Sequence, residues 1–181
     1  MTEELEVLAI VTERLEEAEI PYMVTGSFAA NYYALPRMTR DIDIVVELSV
    51  ADVDLVCALF ERDFFLDRGA VHAAVFERGV FNLIHTERVV KVDLIVRKDS
   101  EYRRVELGRR RRASVEGREF SLVAPEDLII SKLDWARVTR SDVQMADVRN
   151  LLASVPDLDR AYLARRIDRL GLDALYRDVT G

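Results

Sequence analysis

The chain has 181 residues, of which half are hydrophobic and one third are charged. This length and composition predict one globular core with room for a small helical extension, and they argue against disorder. The single cysteine, Cys57, excludes a disulfide framework within the chain and lies in an apolar stretch, where we expect a buried thiol. Because no basic, apolar signal segment and no run of about 18 apolar residues is found, we expect a cytoplasmic protein without a membrane span.

The formal net charge of −7 argues against a surface covered by nucleic-acid contacts, but one arginine cluster departs from that average. Two interpretations of the cluster are equally favoured. It could face a polyanion, or it could be a solvated helix end and hairpin whose arginines pair with nearby glutamates. The cluster comprises Arg103, Arg104, Arg109, Arg110, Arg111, Arg112 and Arg118, and the nearby acids are Glu101, Glu106, Glu116 and Glu119.

The chain begins with apolar residues at helical spacing, which predict a helix over residues 4–18 and then a short strand over 22–25. Gly26 and Ser27 follow as a turn. Ser27 stands where a helix N-cap is expected, so that free backbone N–H groups point forward from it. Pro36 is expected to end this second helix.

Residues 41–46 alternate between acidic and aliphatic side chains, which predicts a half-buried strand. Asp41 and Asp43 leave one face of this strand, roughly 6.6 Å apart along the chain, while Ile42 and Ile44 enter the core. Two like charges beside a core need a cation to relieve their repulsion. The sequence therefore predicts a metal site next to the Gly-Ser turn.

The middle of the chain adds a third acid. A capping-box pattern predicts a helix over residues 49–60, and two alternating runs, 80–85 and 89–96, predict an antiparallel hairpin. Within the second run, Asp93 shares one face with Lys91, whereas the other face is aliphatic. This places a carboxylate on a strand that is otherwise suited to burial.

The last part of the chain is predicted to be mainly helical. After a short helix beyond Ser100 and a hairpin around Gly117, Pro125 opens a run of three amphipathic helices. No repeat or low-complexity linker separates this run from the rest. We therefore predict a catalytic core over 1–124 and a helical lobe over 125–181 that packs on it.

The Gly26-Ser27 turn, the Asp41-Ile42-Asp43 strand and the later Asp93 resemble the nucleotidyltransferase superfamily, which includes DNA polymerase beta, the aminoglycoside nucleotidyltransferases and the AbiEii-type toxins. The resemblance covers most of residues 20–155. It implies an α/β (α+β) minimal nucleotidyltransferase fold, with a mixed sheet flanked by helices and a helical C-terminal lobe. It is more specific for the fold than for the substrate.

The stretch over residues 125–133, followed by Gln144 and Asp147, looks most like the stand-alone bacterial branch of AbiEii-type nucleotidyltransferases. The Pro-Glu-Asp start of this stretch is also typical of a helix N-terminus, where acids complement the helix dipole. This second resemblance is looser than the first.

The resemblance implies metal-dependent transfer of NMP from an NTP to an acceptor hydroxyl, with release of pyrophosphate. Asp41, Asp43 and Asp93 would hold two Mg²⁺ ions, with Mn²⁺ as an alternative, roughly 3.5–4 Å apart. Asp93 would lie near the attacking hydroxyl and could accept its proton. Gly26 would let the backbone approach the phosphates, and Ser27 would donate to them together with the helix N-terminus.

Four further residues carry weaker implications. Lys132 interrupts an apolar helical run, and the resemblance implies that it reaches the triphosphate, whereas the alternative is a snorkelling surface lysine. Arg37 and Thr39 would lie near the phosphates or brace the strand, unless they belong to an ordinary polar loop after Pro36. Asp147 would orient Lys132, contact the nucleotide or cap a solvent-facing surface.

The implied partners are an NTP and an acceptor that could be a small molecule, a tRNA or a protein. One alternative is a toxin of a toxin–antitoxin pair, with an antitoxin protein as partner and the arginine cluster on tRNA phosphates. Another is a catalytically silent nucleotide-binding module, against which the three retained acids argue. No membrane partner is expected.

Overall fold

Residues 2–181, which the computed structural model describes, form nine α-helices and one mixed seven-stranded sheet. The predicted mixed sheet flanked by helices is confirmed. The helices are α1 (Glu3–Glu17), α2 (Gly26–Tyr33), α3 (Val53–Phe60), α4 (Arg68–Glu77), α5 (Glu101–Gly108), α6 (Pro125–Thr139), α7 (Asp142–Ser154), α8 (Arg160–Leu170) and α9 (Asp173–Thr180). The strands are β1 (Tyr22–Thr25), β2 (Ile42–Val46), β3 (Phe64–Phe65), β4 (Val80–His85), β5 (Lys91–Val96), β6 (Arg111–Val115) and β7 (Arg118–Leu122). None of the helices within these residues is long and apolar enough to cross a membrane.

The sheet has the strand order β3-β4-β5-β2-β1-β7-β6, with the two acid-bearing strands at its centre. Strand β2 pairs with β1 in antiparallel fashion and with β5 in parallel fashion. The hairpins β4–β5 and β6–β7 form as predicted. The alternation predicted for β2 and β5 is also observed, since Ile44 and Leu94 are buried whereas Asp43 and Asp93 are half-buried.

Apolar clusters cover both faces of the central strands. On one face, α1, α3 and α4 pack through residues such as Leu8 and Phe60, and Val24 of β1 points into this layer. On the other face, α2, α6, α7 and α8 pack around Leu133, and Met23 of β1 points into that layer. Successive β1 residues thus enter opposite layers, as the two-residue repeat of a strand requires. The boundary at residue 125 stays a prediction.

Local structure departs from the sequence expectations in two places. Helix α2 begins at Gly26, so Thr25 holds the N-cap position without a side-chain cap bond and Ser27 lies in the first turn, which corrects the predicted N-cap. The left-handed backbone of Gly26, with φ of +64°, turns the chain directly from β1 into the helix. The elements β3, α4 and α9 were not predicted from sequence periodicity.

Most arginines of the arginine cluster form ion pairs within residues 2–181. This favours the interpretation in which the cluster is a solvated helix end and hairpin with paired arginines. Glu106 is a predicted partner that does pair, with Arg103. The other pairs mostly reach acids on distant segments. They are Arg103–Asp134, Arg104–Asp99, Arg109–Glu126, Arg109–Asp127, Arg111–Glu126, Arg112–Glu16 and Arg118–Glu13.

The start of α6 buries two acidic side chains completely. Glu126 and Asp127 are each 0 % exposed. Arg109 donates from Nη2 to Glu126 Oε2 at 3.1 Å and from Nε to Asp127 Oδ2 at 2.8 Å. The hydroxyls of Tyr102 and Tyr162 donate to Asp127 Oδ1 at 3.2 and 2.7 Å. The sequence predicted helix-dipole complementation at this turn, and the structure adds that these acids join α6 to α5 and α8.

Candidate active site

Asp43 and Asp93 lie side by side on parallel neighbouring strands. The register of β2 and β5 pairs the Cα atoms of these two residues. Neighbouring strands are about 4.8 Å apart, and paired residues point to the same face of the sheet. Asp41 is exposed and stands immediately before β2. The three acids that were singled out in the sequence are therefore close together at one edge of the central strand pair.

In this acid cluster, defined as Asp41, Asp43 and Asp93, the negative charge is only partly compensated by nearby cations. Burial, and then the charges of Asp93 and Asp41, raise the pKa of Asp43 above its ordinary value. Lys132 and Lys91 act in the opposite direction without cancelling the rise. The ionised form of Asp43 is thus held in an unfavourable environment, which is common where a protein concentrates charge for function.

Gly26 lets the Gly-Ser turn lie directly against Asp43. A Cβ atom at Gly26 would stand 2.0 Å from Asp43 Oδ2, far inside contact distance. The antiparallel register of β1 and β2, which pairs Thr25 with Asp43, sets this approach. Because the backbone at Gly26 is also left-handed, glycine is required here for two independent reasons.

A chain of polar contacts connects the Gly-Ser turn to α6 and α7. Arg37 donates from Nη2 to Ser27 Oγ at 2.5 Å, and from Nε and Nη2 to the two carboxylate oxygens of Asp147 at 3.1 and 3.2 Å. Lys132 Nζ donates to Asp147 Oδ2 at 2.7 Å and to Gln144 Oε1 at 3.0 Å. Asp147 therefore holds both cations at once.

The burial of Lys132 and Asp147 excludes two of the alternatives left open by the sequence. Lys132 is 3 % exposed and Asp147 is 5 % exposed, so a snorkelling surface lysine and a solvent-facing acid are both wrong. Burial tends to raise the pKa of Asp147, but hydrogen bonds from Arg37 and Lys132 outweigh it and leave that pKa below its ordinary value. A buried charge is tolerated when it is paired in this way.

The segment before β2 is fixed mainly by Asn31. Its side chain donates from Nδ2 to the carbonyl of Arg37 at 2.7 Å and accepts from the Arg37 N–H at 3.0 Å. Sequence reasoning missed this asparagine, although an amide near a helix end before a proline loop is a usable signal. Thr39 touches the Asp41 carbonyl at 3.5 Å, which fits bracing of the strand better than a free loop.

No protein-family model and no curated protein matches this sequence, but several solved structures do. A candidate nucleotidyltransferase from Thermotoga maritima, TM1012, has a TM-score of 0.56 and 19 % identity over 78 % of this chain and 89 % of its own. The lincosamide antibiotic adenylyltransferase LnuA has a TM-score of 0.58 and 12 % identity over 86 % and 98 % of the two chains. The chain has the nucleotidyltransferase fold.

A third nucleotidyltransferase structure agrees with the first two. The antibiotic-resistance factor ANT(2'')-Ia has a TM-score of 0.58 and 14 % identity over 97 % of this chain and 95 % of its own. At such low identities the similarity concerns the nucleotidyltransferase fold alone. The narrower resemblance to the AbiEii-type branch stays a prediction.

The donor chemistry of the acid cluster fits divalent metal ions in a nucleotidyltransferase fold, because Mg²⁺ prefers carboxylate oxygens. As the side chains stand, however, no group of three or more His, Cys, Asp or Glu residues among residues 2–181 is arranged as a metal site. Both carboxylate oxygens of Asp93 are engaged, since Asn82 Nδ2 donates to Oδ1 and Lys91 Nζ donates to Oδ2 at 3.1 Å. Sequence analysis missed Asn82, which is paired with Asp93 across β4 and β5.

Proposed function

We propose that the chain is a cytoplasmic, metal-dependent nucleotidyltransferase that moves NMP from an NTP to an acceptor hydroxyl and releases pyrophosphate. The observation that carries this proposal is the pairing of Asp43 with Asp93 on parallel strands, with Gly26 against Asp43, in a nucleotidyltransferase fold. The raised pKa of Asp43 supports it, because a purely structural cluster has no reason to keep like charges together.

In this proposal Asp41, Asp43 and Asp93 would hold two Mg²⁺ ions, or Mn²⁺ in their place. Such ions, when bound, stabilise the charge that develops on the phosphoryl oxygens and favour in-line attack. The shortage of positive charge in the acid cluster supports this assignment. Asp93 would accept the proton of the attacking hydroxyl once its side chain is released from Lys91.

The triphosphate would bind on the β1 side of β2, along the turn that carries Gly26 and Ser27. Gly26 keeps the backbone free of a Cβ there, and the first turn of α2 offers unpaired N–H groups. Arg37 contacts Ser27 in this turn, and Lys132 is linked to Arg37 through their shared partner Asp147. We propose that Asp147 positions them and that both bind phosphate oxygens.

We propose that the acceptor enters through a cleft of about 430 Å³ on the β5 side of Asp41. The Gly-Ser turn follows β1, which flanks β2 on the other side, so nucleotide and acceptor would approach the acid cluster from different directions. The cleft carries charges of both signs and suits a polar acceptor. It is lined by Glu3, Glu4, Arg40, Asp41, Arg88, Val89, Val90 and Lys91.

Label transfer tests the activity directly. Each of the four α-³²P-labelled NTPs is incubated with Mg²⁺, the protein and a cell extract that is afterwards split into RNA, protein and small molecules. We expect label in one fraction with the parent and none with Asp41→Asn/Asp43→Asn. Asp54→Asn is the matched control, because Asp54 is an exposed acid outside the site. Equal labelling by the parent and the double variant would contradict the proposal.

The same assay separates the narrower alternatives. A toxin that acts on tRNA would label the RNA fraction, and co-purification with an antitoxin would support that assignment. The paired state of the arginine cluster leaves less free charge for tRNA than the sequence suggested. NTP binding without any label transfer would instead favour the catalytically silent module.

A further inference from the structure

The chain contains very few lysines, and two of them contact site carboxylates. Among 26 basic residues, Lys91, Lys98 and Lys132 are the lysines and all others are arginines. Lys91 contacts Asp93 and Lys132 contacts Asp147. Lys98 is exposed and has no side-chain hydrogen bond or ion pair within residues 2–181. Two of the three lysines of the chain therefore contact carboxylates of the candidate active site.

Lys91 and Asn82 together occupy the metal-binding atoms of Asp93. The ammonium of Lys91 contacts one carboxylate oxygen at 3.1 Å, and the amide of Asn82 contacts the other. The hydrogen bond to Asp93, and then the charges of Asp93, Asp41 and Asp43, raise the pKa of Lys91, so its ammonium lies in the field of the whole acid cluster. Coulomb attraction from three acids makes this position favourable for any cation.

We propose that Lys91 is an exchangeable counter-ion of the acid cluster. It neutralises Asp93 while the carboxylates hold no metal, and it gives up Asp93 when a divalent cation binds there. This inference rests on the proposed function, because it requires that the acid cluster binds metal. Lys91 is therefore a positioning residue that sets metal affinity, and it stabilises the metal-free protein.

The chemistry and surroundings of Lys91 suit such an exchange. An ammonium is a compact charge on a flexible stem that makes single contacts, whereas a guanidinium would grip the carboxylate with two parallel bonds. The Lys91 side chain is 45 % exposed. It also lines the cleft beside Asp41, where Glu3 and Glu4 offer alternative acidic partners. A released Lys91 thus has both space and compensating charge.

Metal binding by variants of Lys91 tests the proposal without an activity measurement. Mn²⁺ binding is measured by electron paramagnetic resonance of the free ion, and Tm is measured with and without Mg²⁺. We expect Lys91→Met to bind Mn²⁺ about tenfold more tightly than the parent, because a competing charge is removed. We expect its Tm without metal to be about 2–4 °C lower and to rise more on addition of Mg²⁺.

Two further variants sharpen the result. Lys91→Arg should bind Mn²⁺ more weakly than the parent, because its charge stays and its grip on Asp93 is bidentate. Lys98→Met, the same change on an exposed lysine, should alter neither Mn²⁺ affinity nor Tm. Opposite effects of Met and Arg at position 91 cannot arise from a general loss of stability.

The outcomes also separate this proposal from the proposed function. If the parent binds Mn²⁺ at a site that Asp43→Asn removes, but Lys91→Met binds no more tightly, the exchange is overturned and the metal site stands. If neither the parent nor Lys91→Met has a Mn²⁺ site that depends on Asp43, the metal-dependent function is overturned, and the role of Lys91 with it.

Discussion

Two groups of acidic side chains in this protein differ in how far their negative charge is compensated by hydrogen bonds and cations. At the start of α6, Glu126 and Asp127 are completely buried, and arginine and tyrosine donors satisfy them. In the acid cluster, Asp43 is less buried, yet burial and the charges of Asp93 and Asp41 raise its pKa, and the nearby lysines do not cancel that rise. The more buried group is the better compensated one.

The difference lies in the cations as much as in the acids. The α6 group is held by the guanidinium of Arg109, which contacts both acids and stacks over the Tyr162 ring, with its carbon 3.8 Å from the ring centroid. The cations that lower the pKa of Asp43 are the lysines Lys132 and Lys91, and a lysine makes single contacts that can be exchanged. Fixed pairing is suited to stability, and incomplete pairing is suited to ligand binding.

The largest expected effect comes from relieving the acid cluster. Asp43→Asn should reduce label transfer by at least about 10³-fold, which corresponds to about 4 kcal/mol of lost transition-state stabilisation. The same change should leave Tm without metal unchanged or about 2–4 °C higher, because an unfavourable charge is removed. Activity assays and thermal unfolding in EDTA measure both. A large loss of Tm would show that Asp43 is structural.

Breaking the α6 group should have the opposite signature. Arg109→Met leaves Glu126 and Asp127 buried without their main cation and should destabilise the fold by about 3–5 kcal/mol. The specific activity of the folded fraction should stay near that of the parent. Urea unfolding and label transfer below the transition provide the measurement. Arg110→Met is the control, since Arg110 is exposed and, among residues 2–181, its side chain donates only to the Leu107 carbonyl.

The contact between the Gly-Ser turn and the acid cluster predicts an intermediate effect. Gly26→Ala should cost about 2–3 kcal/mol in activity or stability, because a Cβ collides with Asp43 and the backbone is left-handed. Gly117→Ala shares the left-handed backbone, with φ of +80°, but its Cβ would meet nothing within 4 Å. The difference between the two variants in label transfer isolates the collision. Equal losses would assign the whole effect to backbone strain.

The smallest effect should appear in the pH dependence of stability. The folded-state pKa of Asp147 is lowered, so its stabilisation is present above its ordinary pKa near 4 and is lost as the pH falls through the lowered value. Asp147→Asn should therefore be about 1 kcal/mol less stable than the parent at pH 7, and the difference should shrink below about pH 4. Tm measured from pH 7 to pH 3 tests this. A difference that does not change with pH would contradict it.

The sequence predicted those parts of the fold in which hydrophobic contrast is strong. Strands β2 and β5 alternate clearly, and α1 follows a clean helical period. Helix α4 was missed because its buried residues are two valines and one alanine, Val71, Val75 and Ala74, among glycine and alanine neighbours. Such small side chains give little contrast in hydrophobicity between the two faces of a helix. The shift of the α2 start reflects the special backbone of Gly26, which periodicity does not register.

The residue types of the candidate site were accessible from sequence, but their pairing was accessible only in part. The acids and the unusual Lys132 stood out within short windows. Asp147 was one expected contact of Lys132, and the structure shows that contact. The Asn82 partner of Asp93 depends on strand register, which only the tertiary fold defines. The arginine cluster makes the same point, because Arg112 and Arg118 pair with acids of α1 that lie far away in the chain.

The position of Lys91 on the same strand as Asp93 also matters during synthesis. Strand β1 gains its parallel neighbour through Val24 and Leu122, a long-range pairing that can form only after most of the chain has emerged from the ribosome. By then β2 and β5 have long been available to pair. A nascent chain that ends just after β5 does not yet contain Lys132 or its helix α6. Because Lys91 is translated together with Asp93, the growing chain already carries a cation that limits repulsion among its acids.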